Sequence, residues 1–540
     1  MNASGTRRAR FGLVASDSRR RLWLWVLLGV LAGLGVGIAI LFSTVVPVSS
    51  DILRHRIVAS LSWRLDSDVT LGDLHVRVFP RLRAEGSDLA IRRHGREDVP
   101  PLISIKSFSV EADLLGLARK HVAHVQIVGL DIEIPPSRDD SEGKGQRAQG
   151  STRKDSSLEG GVVIDTLDSS DARLVIIPRR KDKDPKVWAI HRLQMHDVGI
   201  DQAMPFEATL TNGVPPGEID TTGSFGPWQR DDPGETPLNG TFTFAGADLR
   251  VFHGISGTLS SQGSFDGSLA RIDVNGETDT PDFTIRVGNH PFPLHVKYHA
   301  LVDGTNGDTR LERIDGWFLS SYLHAKGAVL DAPKGKRGRT VTLDVTMDRS
   351  RIEDIMTMAV KTPKPPMAGA LKLTTTFVLP PGENDVSDRL RLDGRFAIDR
   401  ARFTNIDVQG KIDELSHRGR GQKADRRTDG VVSNFQGRFT LADGRIALPD
   451  VTFAVPGARV ELAGQYGLKL GTLDFKGRLL LDAKVSQTQT GIRSLLLKAV
   501  DPLFNRKGGG SAIPIRIGGT WNVPDFGLDV RRVFKRGDTP

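Results

Sequence analysis

The chain contains no cysteine among its 540 residues. This absence excludes disulfide frameworks, zinc sites built from thiolates, iron–sulfur clusters and thiol nucleophiles. It also fits an exported protein, because a chain without thiols cannot form wrong disulfides in an oxidising compartment. Glycine (58 residues) and proline (29 residues) are plentiful, which predicts a turn-rich chain.

Recognisable catalytic motifs are also missing. The sequence has no G-x-S-x-G, no H-E-x-x-H, no phosphate-binding P-loop and no G-x-G-x-x-G before a helix. His191 and His196 are five residues apart, which places them on opposite sides of a strand and disfavours a metal pair. Asp66, Asp68 and Asp73 lack the glycine and closing glutamate of a calcium loop and are interpreted as turn residues. We therefore predict no catalytic site, no cofactor and no metal, and a protein that is not an enzyme.

The formal net charge of +9 is concentrated in three short segments. Residues 1–21 carry +5, residues 331–340 carry +3 and residues 418–429 carry +3, so the remainder of the chain carries −2. A nearly neutral body offers no basic surface for a polyanion. Nucleic acid is therefore not predicted as a partner.

One long run of the sequence is uncharged. It extends from Leu22 to Phe42, and as a helix its 21 residues reach about 31 Å, the thickness of one hydrocarbon core. A cleaved signal peptide or a buried core helix would be the alternatives, but the run is long for the first and follows an arginine-rich tail. We predict a single-pass anchor in a bacterial inner membrane, with the N-terminus in the cytoplasm and the bulk in the periplasm.

The rest of the chain is predicted to be mostly β. A short amphipathic helix should begin at Ser50 and end near Leu65, with Leu53, Ile57 and Leu61 on its apolar stripe, widened by Ile52, Val58 and Leu65. Short segments of alternating apolar and polar residues then follow, which indicate a long antiparallel meander. Two further amphipathic helices are predicted, one after a capping box at Ser350 and Glu353 and one from Ile492 to Leu503.

Several short segments of the sequence resemble segments that are typical of one known protein family. They are Leu71-Gly72-Asp73-Leu74, Phe79-Pro80-Arg81-Leu82, Ile127-Val128-Gly129-Leu130-Asp131-Ile132, Phe439-Thr440-Leu441-Ala442-Asp443-Gly444 and Ile513-Pro514-Ile515-Arg516-Ile517-Gly518-Gly519-Thr520. Together with the anchor they resemble AsmA-like proteins, which are related to TamB-type proteins. The resemblance implies a bridge-like lipid transfer protein of the bacterial envelope, with a long curved antiparallel β-sheet that forms an open groove.

The predicted organisation follows from the anchor, the composition and this resemblance. It comprises a basic cytoplasmic tail (1–21), the anchor (22–42), an N-terminal AsmA-like helix with strands (50–135), a flexible loop (136–161), a central β region (162–388), a C-terminal AsmA-like β region (389–530) and a tail (531–540).

Alternating apolar positions are the candidates for lining the groove. They are Phe242, Phe244, Phe283, Ile285, Val287, Phe377, Val451, Phe453 and Val455. The same alternation would also build the dry core of an ordinary sandwich, and the pattern alone leaves both interpretations open.

Three functions are compatible with these observations. The first is transport of phospholipid toward the outer membrane, with acyl chains, the inner membrane and an outer-membrane or periplasmic protein as partners. The second is a scaffold or assembly factor for outer-membrane proteins that uses the edge of its sheet. The third is a periplasmic carbohydrate-active β-helix enzyme, which requires carboxylates clustered on one exposed face.

Overall fold

A computed structural model describes residues 50–65, 67–77, 82–93, 101, 103–134, 162–176, 186–199, 201–229, 233–304, 306–332, 338–361, 364–404, 409, 413, 416–417, 432–482, 511–520 and 523–528. The predicted anchor at 22–42, the loop at 136–161 and the helix at 492–503 lie outside these ranges. None of the helices in these ranges is both long enough and apolar enough to cross a bilayer.

The described residues form 25 strands of one open sheet. In chain order the strands are β1 (Ser67–Thr70), β2 (Leu74–Arg77), β3 (Leu82–Arg93), β4 (Ile103–Ala112), β5 (His121–Ile134), β6 (Val163–Ile176), β7 (Lys186–Val198), β8 (Met204–Asn212), β9 (Gly217–Phe225), β10 (Pro237–Asp248), β11 (Ile255–Ser256), β12 (Thr258–Ser268), β13 (Arg271–Ile285), β14 (Phe292–Val302), β15 (Thr309–Phe318), β16 (Ser321–Asp331), β17 (Arg339–Arg351), β18 (Met367–Leu379), β19 (Arg391–Phe403), β20 (Ser433–Ala442), β21 (Arg445–Val455), β22 (Ala458–Gly467), β23 (Thr472–Leu481), β24 (Ser511–Gly519) and β25 (Pro524–Leu528).

Helices are few and short in the part of the chain that the structure describes. They are α1 (Ser50–Leu65), α2 (Leu114–Ala118), α3 (Ile352–Ala359) and α4 (Val386–Arg389), with 3₁₀ turns at Pro233–Glu235 and Leu249–Val251. The predictions of a mostly β chain and of a helix from Ser50 to Leu65 are confirmed.

Most neighbouring strands pair antiparallel, as the meander predicts, but β5 and β6 do not. They run parallel, with His121 beside Val163 and Ile134 beside Ile176. A parallel pair needs a connection of about a dozen or more residues, and in the sequence Ile134 and Val163 are far enough apart to allow one. The prediction of an entirely antiparallel sheet is therefore wrong at this pair.

The described residues divide into two compact units, and the first falls within residues 1–213 and 220–240. Helix α1 packs its apolar stripe on the sheet of this unit, so that Leu53, Ile57 and Leu61 are only 3%, 6% and 1% exposed. Each such side chain contributes about 1.5–3 kcal/mol through its removal from water. Ile52 is 54% exposed, so its predicted place on the stripe is wrong.

The second unit falls within residues 214–219 and 241–540. Many of its buried apolar residues form three small clusters, which contain Ile398, Phe453 and Phe318 respectively. Most other apolar side chains of its strands are half-buried, which contrasts with the large continuous core of the first unit. The second unit is therefore where the sheet keeps an incompletely covered apolar surface.

Helix α3 begins differently from the predicted capping box. Ser350 donates its hydroxyl to the Tyr322 carbonyl (2.8 Å) across the sheet, and Arg351 is the N-cap residue without a side-chain cap. The buried Asp354 instead accepts hydrogen bonds from the Ser320 amide (3.0 Å) and the Ser321 hydroxyl (2.7 Å). Contacts with the neighbouring turn, and not the predicted capping box, therefore stabilise the start of α3.

Candidate apolar binding face

One face of the sheet in the second unit is built from apolar side chains, and the strand register shows that it is continuous. The Phe242 ring lies over Gly263, where an added Cβ would be 2.9 Å from the ring. Gly263 pairs with Gly276, Gly276 with Tyr298, and Tyr298 with Ile314. Because directly paired residues point to the same side of a sheet, these positions share one face.

The same face continues through the next five strands. Ile314 pairs with Ala325, Ala325 with Val345, and Val345 with Thr375. From there the pairing leads to Gly394 and then to Phe439. Side chains two residues away along each strand share this side, because successive residues alternate.

The last strands complete the face. Gly437, which is two residues from Phe439 on β20, pairs with Val451, and Val451 pairs with Leu462. Leu462 in turn pairs with Gly477, and Gly477 with Ile515. At about 4.8 Å between neighbouring strands, the run from β12 to β24 extends for about 58 Å along the hydrogen-bonding direction. We call this surface of the second unit the apolar face and its reverse the polar face.

Many side chains of the apolar face keep part of their surface in contact with solvent. Half-buried members include Phe265, Val274, Val296, Tyr298, Ile314, Leu323, Leu343, Val345, Phe377, Leu392, Phe396, Leu462, Phe475 and Ile515. Extended accessible apolar surfaces are uncommon on monomeric soluble proteins and are typical of binding surfaces.

One covered part of the apolar face lies along the strand ends next to α3. Ile355 and Met358 of the helix pack against the cluster of Phe292, Phe318 and Met347. Ile352, at the start of the helix, is buried in a neighbouring cluster. Helix α3 therefore covers one end of these strands and leaves the middle of the apolar face half-exposed.

Eight of the nine predicted groove residues belong to the apolar face. Phe283 and Ile285 reach it through a bulge, because the register of β13 shifts between Thr280 and Phe283, which pairs with Phe292. Val287 does not lie on a strand, since β13 ends at Ile285 and Val287 occupies the following turn. The alternation that predicted Val287 as a groove residue therefore continues two residues past the end of β13.

The predicted residues differ in how accessible they are. Phe242, Phe244, Phe283, Ile285 and Phe377 are half-buried. By contrast, Val451, Phe453 and Val455 are only 7%, 5% and 7% exposed. The centroids of the Phe453 and Phe435 rings are 4.5 Å apart, and Phe453 and Val455 belong to one buried cluster. These two side chains therefore form dry packing, and Val451 is buried beside them on the same strand.

Sequence reasoning missed several accessible members of the apolar face. The clearest are Val341, Leu343 and Val345, which alternate with polar residues along β17. That alternation is enough to predict that the three side chains lie on one face of the sheet. The local sequence does not indicate that these side chains are partly exposed, because their exposure depends on which elements pack over the sheet.

Two tyrosines on the apolar face have pKa values that are shifted by burial. Burial raises the pKa of the Tyr298 phenol, although its contact with the Ser261 hydroxyl (3.3 Å) opposes the rise. Burial also raises the pKa of the Tyr466 phenol. Both shifts have the direction expected where the phenolate would lose hydration.

The polar face carries charged groups that pair with one another. The carboxylate of Asp315 accepts hydrogen bonds from the Tyr322 hydroxyl (2.5 Å), His324 Nδ1 (3.1 Å) and Arg313 Nε (2.5 Å). Burial alone would raise the pKa of Asp315, but these three donors outweigh it and hold the pKa below its ordinary value. The bond to Asp315 is in turn the main reason that the pKa of Tyr322 is raised.

Among the described residues, no group of three or more histidine, aspartate or glutamate side chains could hold a metal ion. Comparison of the chain with family models, with curated proteins and with solved structures found no match. Inferences about function therefore depend on the geometry of the sheet and on the sequence itself.

Proposed function

We propose that the apolar face binds the acyl chains of phospholipid and that the protein carries phospholipid from the inner membrane toward the outer membrane. The observation that supports this most directly is the half-exposed apolar face, which is continuous from β12 to β24. Such a surface is unfavourable in water unless another apolar group covers it.

Acyl chains suit this surface in chemistry and in length. Each CH₂ group that moves from water onto an apolar surface contributes about 0.8 kcal/mol. Contact with the apolar face can therefore offset the free-energy cost of removing a lipid tail from a bilayer. The run of strands, at about 58 Å, is longer than a hydrocarbon core of about 30 Å. Because apolar contact has no preferred direction, a chain can move along the face without a catalytic step.

The proposal also uses the uncharged segment from Leu22 to Phe42. As a membrane anchor, this segment would keep the body next to the source of phospholipid, and the six arginines before it would hold the N-terminus in the cytoplasm. This gives the protein a single-pass topology with the sheet in the periplasm.

The experiment is a transfer assay with the full chain. The protein is reconstituted into donor vesicles that contain a self-quenched fluorescent phospholipid, and acceptor vesicles are then added. We expect dequenching to be at least about tenfold faster than in protein-free donors, since direct transfer avoids exposure of the tails to water. Equal rates with and without protein would contradict the proposal.

The alternative function, a scaffold for outer-membrane proteins, predicts a different result for substitutions on the apolar face. Strand addition would use backbone groups at an edge of the open sheet and would not need the apolar face. Under that function, charged substitutions on the apolar face would leave activity unchanged as long as the protein remains folded.

A further inference from the structure

The polar face of the second unit contains an open cavity with a basic lining. Its volume is about 410 Å³, and it lies over β18, β19, β20 and β21. Lys372, Arg395 and Arg438 supply three positive charges, and Asp450 supplies one negative charge. The cavity is on the opposite side of the sheet from the apolar face, so the inference drawn from it does not rest on the proposed function.

Two of the cations face each other directly. Arg395 pairs with Arg438 in the register of β19 and β20, and like charges in directly opposed positions destabilise a sheet. Arg438 is neutralised by Asp450, to which its Nε donates a hydrogen bond of 2.9 Å. Arg395 has no such partner, and neither does Lys372, in the part of the chain that the structure describes. Asp393 lies two residues from Arg395 on the same face but forms no ion pair with it.

Some charged residues elsewhere on the polar face are paired with one another. Glu277 accepts a hydrogen bond from Gln262 (2.7 Å) and lies 3.6 Å from the Lys297 ammonium. Arg478 on β23 pairs with Glu461 on β22 at 3.0 Å, one strand beyond the cavity. Compared with these pairs, the cavity has an excess of positive charge that the protein itself does not balance.

Neutral donors surround the same cations. The hydroxyls of Thr374 and Thr452 and the amide of Gln436 line the cavity. None of these three side chains makes a hydrogen bond within the described ranges. A guanidinium, an ammonium and several hydroxyl and amide donors that converge on one space match the acceptor oxygens of a tetrahedral oxyanion.

We infer that this cavity binds a phosphoryl group. The anion would lie between Arg395 and Lys372, where it would relieve the repulsion between Arg395 and Arg438 and accept hydrogen bonds from the neighbouring hydroxyls. A soluble phosphate monoester and the phosphodiester headgroup of a lipid present the same oxygen chemistry, and the experiment distinguishes these two sources.

The test measures binding to the purified full chain in detergent by isothermal titration calorimetry. The probes are inorganic phosphate, glycerol 3-phosphate and dihexanoyl phosphatidylglycerol below its micelle concentration. The variants are Arg395→Gln and Lys372→Gln, with Arg391→Gln as the matched control. Arg391 is an exposed cation on the same strand and face as Arg395, but it does not line the cavity.

We expect at least one probe to bind to the parent chain, and each cavity variant to weaken that binding by about tenfold or more, since each loses one charge-assisted contact. The control should bind like the parent chain. Binding of glycerol 3-phosphate alone would identify a soluble ester as the source, and binding of the lipid probe alone would identify a headgroup. Failure of all three probes to bind, or equal affinity in the parent chain and the two cavity variants, would overturn the inference.

A stability measurement separates binding from a purely structural role of Arg395. The Arg395→Gln variant should unfold at the same temperature as the parent chain or higher, because it removes a like-charge pair. Addition of the bound probe should raise the unfolding temperature of the parent chain and of Arg391→Gln but not that of Arg395→Gln. A lowered unfolding temperature in Arg395→Gln together with an unchanged response to the probe would also overturn the inference.

Discussion

Leu343→Asp should reduce phospholipid transfer to the rate of protein-free vesicles, at least about tenfold below the parent chain. Leu343 lies in the middle of β17 on the apolar face, where it pairs with Gly327 on one side and with Phe377 on the other. A carboxylate at this position stays hydrated and repels hydrocarbon, because transfer of a charge into an apolar environment is strongly unfavourable.

Thr342→Asp is the matched control for this substitution. Thr342 is the preceding residue of the same strand, is exposed and lies on the polar face. The control should transfer phospholipid at the parent rate, and both variants should keep the circular dichroism spectrum of the parent chain. Equal losses of transfer in Leu343→Asp and Thr342→Asp would show that the face of the sheet is irrelevant.

Leu61→Ala should lower the free energy of unfolding of the first unit by about 2–5 kcal/mol. The Leu61 side chain is 1% exposed and belongs to the large core beneath α1, so truncation removes apolar contacts and leaves a cavity. Denaturant titration followed by circular dichroism measures the change.

Ile52→Ala provides the comparison on the same helix. Ile52 is 54% exposed, and substitution of a side chain outside the core changes stability by about 0.5 kcal/mol or less. If the two variants unfold at the same denaturant concentration, α1 does not pack on the sheet as described.

The difference between the two units explains why the prediction about binding concerns only one of them. In the first unit α1 covers the sheet, and residues such as Leu89, Ile91 and Ile105 are at most 2% exposed. In the second unit the residues in the middle of the strands, such as Leu343 and Phe377, remain half-buried. Packing density therefore separates a structural core from a surface that can accept another apolar molecule.

Local sequence patterns predicted the elements of this fold well. Alternation with period two located the strands, and the spacing of Leu53, Ile57 and Leu61 located α1 with its buried stripe. Both patterns depend only on neighbours along the chain, which is why they can be recognised without knowledge of tertiary contacts.

The failures of prediction have tertiary causes. Ser350 bonds across the sheet to the Tyr322 carbonyl, so the capping box that its spacing suggests does not form. The parallel pair of β5 and β6 depends on a long connection that carries no signal for strand direction. Likewise, Phe453 and Phe377 occupy equivalent alternating positions, yet the first is in a dry cluster and the second is half-buried.

The cavity on the polar face could not have been predicted from the sequence. Lys372, Arg395 and Arg438 are widely separated along the chain, and only the register of β18, β19 and β20 brings them together. Isolated cations in strands are normally interpreted as solvent-exposed residues, so their convergence becomes visible only in the folded sheet.

The most direct measurement of the central claim is photocrosslinking along β17. A photoreactive amino acid is placed in turn at positions 341 to 346, and the full chain is illuminated in membranes that contain radiolabelled phospholipid. Val341, Leu343 and Val345 belong to the apolar face, whereas Thr342, Asp344 and Thr346 belong to the polar face. Lipid adducts at 341, 343 and 345 and none at 342, 344 and 346 are the predicted result. Adducts that do not alternate, or no adducts at any of the six positions, would contradict the claim that this face holds acyl chains.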